Sequence, residues 1–195
     1  MSNKVKVVLL AVVLLGAAIF LAYQFWFNRK IVPAEFTKAR AAGALIAQNI
    51  VRLSSESLGQ LTEIGERDAG GDYAGAIQLV EREMEQNRLA REEAFKLSRE
   101  LGRMAGELDG IEPFAARNLA TSALGHEVNL INQLIAYNHF LFQLFNLLNQ
   151  KFSGLAPPNP DGQVKELLKA VNGQTEIIND LNKKFNETMK EFDRL

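Results

Sequence analysis

Catalysis and metal binding need acids, bases or soft ligands brought within reach of one another, and this chain offers few candidates. His126 and His139 are its only histidines. Neither has a glutamate three residues before it, so the Glu-x-x-His pairs that hold two metal ions inside helical bundles are missing. His126-Glu127 does not extend to H-E-x-x-H, the spacing that would set two imidazoles and a general base on one helical face. A helical histidine without such company reads as a surface or hydrogen-bonded side chain. The chain has no cysteine, which removes thiolate zinc sites, thiol nucleophiles and disulfides together. No nucleophile elbow or phosphate-cradling loop occurs, and Gly70-Gly71 reads as a turn. The expectation is a protein that is not an enzyme and holds no metal or cofactor.

The chemistry present is that of binding. Asn129 to Gln150 (NLINQLIAYNHFLFQLFNLLNQ) contains no charged side chain, yet it is rich in Asn and Gln and carries His139. At about 100° per residue, Leu130, Leu134, Tyr137, Leu141, Leu144 and Leu148 form one stripe, with Ile131, Ile135, Phe142 and Phe145 beside it. Asn132, His139, Gln143, Asn146 and Gln150 fall on the opposite arc, which Phe140 and Leu147 interrupt. A membrane span would leave those amides against lipid at a cost of some kcal/mol each, so the segment is expected to be an amphipathic helix. Its neutral arc, Asn132, His139, Phe140, Gln143, Asn146, Leu147 and Gln150, is the candidate surface for a protein partner or a second copy, because interface cores are depleted in Lys and Glu and enriched in aromatics. The alternative is a small-ligand pocket lined by Tyr137, Asn138, Phe142 and Phe145, between this helix and the next. A buried Asn138 would also serve to fix helix register.

The elements that must position these residues are helical almost throughout. Good helix formers fill the body, and breakers cluster at Gly70-Gly71-Asp72, Asp109 to Pro113 and Ser153 to Gly162. Helices are expected at about 34–67, 73–108, 113–152 and 163–194. Phe36, Ile46, Ile50, Leu53, Leu61 and Ile64 are core candidates of the first helix. The second has an apolar stripe from Ile77 to Leu108 and a wet face that includes an expected Glu92–Lys96 pair. The fourth repeats Val164, Val171, Ile178, Phe185 and Phe192 every seven residues, with Leu167, Leu168, Leu181, Met189 and Leu195 filling the seam. Short breaks between long rods predict an all-α fold, an antiparallel up-down-up-down four-helix bundle over 34–195.

Ahead of it, a short basic tail (1–6) leads into Val7 to Phe27, 21 residues without a charge, long enough to cross roughly 30 Å of hydrocarbon as a single N-terminal transmembrane helix. Tyr23 and Trp26, then Arg29 and Lys30, form an aromatic and charged stop at the membrane interface before the connection 28–33 reaches the bundle. The short basic tail argues for a cytoplasmic N-terminus and a periplasmic body on a bacterial inner membrane; basic residues on the other flank argue for the reverse. A formal net charge of −1, from 22 basic and 23 acidic residues, disfavours nucleic acid as a partner.

One anchor followed by an antiparallel bundle resembles the sensory half of chemoreceptor-type proteins, an architectural likeness without a specific motif. It implies a small-ligand-binding bundle that signals across the membrane. Those receptors return through the bilayer to a signalling module, and no second span is expected here. The function expected from the residues is therefore a membrane-anchored, non-enzymatic scaffold or accessory subunit acting through protein–protein contact or self-association. The alternative is a sensor-like, ligand-binding bundle that signals through a partner.

Overall fold

The computed structural model describes residues 30–195. The segments 1–6 and 7–27 and the interface residues Tyr23, Trp26 and Arg29 lie outside the described residues; Lys30 lies within them. Four helices follow in order, α1 Ala34–Gly70, α2 Tyr73–Gly106, α3 Phe114–Phe152 and α4 Pro160–Arg194, with a 3-10 turn Leu108–Gly110 between α2 and α3. The protein is all-α, and among the described residues no helix is long and apolar enough to cross a membrane. Each helix packs antiparallel on the next. Side chains of α1 and α4 meet at the end where the chain enters: Arg40 donates to both oxygens of Asp193 at 2.7 Å, and the rings of Phe36 and Phe192 lie 5.9 Å apart.

Local chemistry explains the boundaries. α1 extends beyond Arg67 to Gly70 because Gly71 adopts a left-handed φ of 75°, and the amides of Gly71 and Asp72 close back on Asp68 and Arg67. Asp72 caps α2 by accepting from the Gly75 amide at 3.0 Å. α2 stops at Gly106, before the expected Leu108, and the chain tightens into the 3-10 turn. α4 starts at Pro160, earlier than expected, since Asn159 takes a φ of 55° and its side chain accepts from the Gly162 amide. Asparagine tolerates that left-handed backbone better than most residues.

The core divides into two clusters along the rods. The one near the chain entry joins Phe36, Ile50, Leu97, Leu101, Met104, Ile111, Leu130, Leu134 and Phe192; the far one joins Ile64, Val80, Tyr137, Leu141, Leu144, Phe145, Phe152 and Val171. Between them lie buried polar groups. Ser57 Oγ donates to Glu83 Oε2 at 2.5 Å, and Asn87 Nδ2 donates to Asn138 Oδ1 at 3.0 Å. α4 is the least covered rod. Only Val171, Met189 and Phe192 are buried on it, and Leu168 and Leu195, expected in its seam, are exposed. The expected Glu92–Lys96 pair is replaced on α2 by Glu92–Arg88 and Glu93–Lys96.

At the far end Lys151 of α3 ties three helices together. Its Nζ reaches Asp68 of α1 at 2.6 Å and Asp161 of α4 at 2.8 Å. The two carboxylates, Asp161 first, hold its pKa above the ordinary lysine value. Lys151→Met is expected to cost about 1–2 kcal/mol, between the values for exposed pairs and for bonds to charged groups. Urea unfolding checks this, and the loss should shrink at roughly 1 M salt, where the screening length falls to about 3 Å.

Candidate interaction face

α3 is the rod against which both α2 and α4 pack, so its faces are assigned by what covers them. Leu130, Leu134, Tyr137, Leu141, Leu144 and Leu148 are buried, as are Ile131 and Phe145. Burial also raises the Tyr137 phenol above its ordinary pKa. Asn132, His139, Gln143 and Gln150 are exposed and Asn146 is half-buried. Phe140 and Leu147 leave the proposed exposed arc: Leu147 is buried and Phe140 is half-buried against the far cluster. Asn159, Gly162, Gln163 and Leu167, at the early start of α4, lie beside Leu147.

Those residues, with Gln143, Asn146, Gln150, Pro157 and Glu166, line an open groove of about 810 Å³ between the C-terminal half of α3 and the first turns of α4. Its walls are amides and aliphatics, with Glu166 the single charged lining residue. A wall of this kind binds through shape and amide hydrogen bonds and costs little charge desolvation.

The four residues of the alternative pocket do not converge. Tyr137 and Phe145 point into the core. Asn138 turns toward α2, accepting from Asn87 and donating to the Leu134 carbonyl at 2.8 Å, as a register-fixing asparagine would. Phe142 is exposed beside Met84, Arg88 and Arg91 of α2. A separate cleft of about 290 Å³ opens between α1, α3 and α4, walled by Leu61, Ile64, Leu148 and Val164, with Asp68, Lys151 and Asp161 also among its lining residues. Lys30, assigned to the membrane interface, donates to the Phe192 carbonyl at 2.6 Å and sits 4.3 Å over that ring.

Glu83, Asn87 and Glu127 escape the sequence reading, although stepping by three and four residues along each apolar stripe lands on them. Glu127 is buried among the neighbours of Leu124 and Leu130, and desolvation raises its pKa to about 7. Ser57 and Glu83 are hydrogen-bonded but enclosed, so a substrate has no approach to them. Among the described residues no group of His, Asp and Glu is arranged to hold a metal ion.

The fold and this face define an all-α helical bundle whose third helix presents an uncharged outer face. No protein-family model, curated protein or solved structure matches the chain.

Proposed function

We propose that the protein is a non-enzymatic helical-bundle subunit, held at a bacterial inner membrane by residues 7–27 as a single-pass anchor, with its body in the periplasm. It acts there as a scaffold or accessory subunit by binding a protein partner or a second copy through the outer face of α3. One observation carries this reading: the exposed side of α3 from Val128 to Gln150 presents amides, an imidazole and apolar groups and no charge, while α2 beside it is dense with ion pairs. A solvated face that served only solubility would carry Lys and Glu like its neighbour. A segment of 21 uncharged residues ahead of the bundle supplies the tether.

The test applies a membrane-impermeant amine crosslinker to cells with an opened outer membrane, expressing the full-length chain. Adducts heavier than one 21.7 kDa chain are expected, and they should disappear in the Gln143→Glu, Gln150→Glu double variant, which charges the face without adding an amine. Adducts that form only after lysis would overturn the periplasmic placement. A single-chain band under both conditions would overturn the binding role.

A further inference from the structure

The outer side of α3 carries a heptad of its own, separate from the stripe that builds the core. Val128, Ile135 and Phe142 recur every seven residues and are 50%, 37% and 42% exposed. Asn132, His139 and Asn146 recur at the same interval between them, the first two exposed and the third half-buried. The spacing alternates four and three residues, which is the d-to-a and a-to-d pattern of a coiled-coil seam. Apolar groups occupy the d positions and Asn or His the a positions. Towards the N-terminus of α3 the register continues through Gly125, Thr121, Asn118 and Phe114, all exposed. Beside this seam α2 is cut low: Ser98, Gly102 and Ala105 line a shallow groove with Val128 and Asn132, leaving room for another rod to approach.

We infer that this seam is a docking surface for a second copy of the chain, α3 against α3, parallel and in register. This rests on the self-association branch of the function proposed above. Three properties select that occupant. An amide carries both a donor and an acceptor, so Asn132 and Asn146 find full partners in the same residues of an identical helix set parallel. In an antiparallel pairing a positions face d positions, so Asn132 would oppose Phe142 and Asn146 would oppose Val128, leaving each amide against an apolar group. The seam has no charge of its own between Val128 and Gln150, so a two-fold axis sets no like charges of α3 against each other. The 21-residue apolar segment would hold two copies in one bilayer with the same orientation, which permits the parallel arrangement. Polar a positions make such a seam weak, and confinement to a membrane compensates by raising the effective concentration.

The absence of cysteine makes the test direct, because each introduced thiol is the only one. Full-length Val128→Cys, Ile135→Cys and Phe142→Cys are reconstituted into phosphatidylcholine vesicles and oxidised, with the exposed α4 position Asn182→Cys as control. All three seam positions are expected to form disulfide-linked dimers at least about tenfold faster than the control. Faster linkage of Val128→Cys with Asn146→Cys in mixtures than of Val128→Cys with itself would show the antiparallel arrangement and overturn the inference. So would control-level linkage at all three. If cell-surface adducts form while the seam thiols stay unlinked, the seam is wrong and the binding role stands; if both fail, both fall.

Discussion

Replacing Phe145 by alanine is expected to lower the unfolding free energy by about 3–5 kcal/mol, whereas the same change at Phe142, less than one helical turn away, is expected to cost under about 1 kcal/mol. Phe145 is fully buried in the far cluster with Ile64, Val80, Leu141 and Leu148. Truncation there removes a ring from water-free packing and leaves a cavity between rods held apart by their other side chains. Phe142 is exposed and loses only a partial contact with Met84 and the aliphatic stems of Arg88 and Arg91. Urea unfolding followed by circular dichroism, in detergent dilute enough to keep chains apart, separates the two. Equal losses at both positions would mean that α3 is rotated from the orientation described here.

Glu127→Gln is expected to stabilise the bundle at pH 8 by roughly 3 kcal/mol and to have little effect below about pH 4.5. The carboxyl is buried, and desolvation raises its pKa from 4.5 to about 7 in the folded chain; each unit is worth about 1.4 kcal/mol. Below pH 4.5 both folded and unfolded chains hold the proton, and the group costs nothing. Between pH 4.5 and 7 the folded state retains a proton that the unfolded state has released, so stability falls as pH rises. Above pH 7 both are ionised and the full cost of a buried carboxylate is present. Thermal unfolding from pH 4 to 8 should show this slope in the parent chain and a flatter one in the variant. Parallel profiles would show that Glu127 reaches water or a counter-charge.

Much of this was legible because helix formation is local and periodic. The breaks at Gly71, Pro113 and Pro157, the Asp72 cap and the buried stripe of α3 from Leu130 to Leu148 all follow from residue type and spacing. A periodic pattern gives the direction a side chain takes from its own helix axis, but it does not say which neighbour covers it. Leu147 lies on the polar side of α3 and is buried all the same, because the turn at Asn159 starts α4 early enough to roof it. Leu168 lies on the apolar side of α4 and is exposed, at the open cleft between α1, α3 and α4. Phe142 and Phe145 belong to one broad arc on the wheel, and α2 ends that arc between them. Asn138 has the type and spacing of a buried register residue, but its partner Asn87 sits in another helix whose alignment only the folded bundle sets. Glu83 and Glu127 escape a reading by residue type because charged residues are rarely buried, even though the stride of each stripe reaches them.

The meeting of Phe36 with Phe192 and of Arg40 with Asp193 puts the first and last turns of the bundle side by side. Tension between the segment that precedes α1 and anything pulling on the carboxyl end would therefore not stretch the rods along their length. It would prise α4 away from α1 one turn at a time, beginning at that aromatic contact and its neighbouring ion pair. Such an opening yields at far lower force than sliding whole helices past one another.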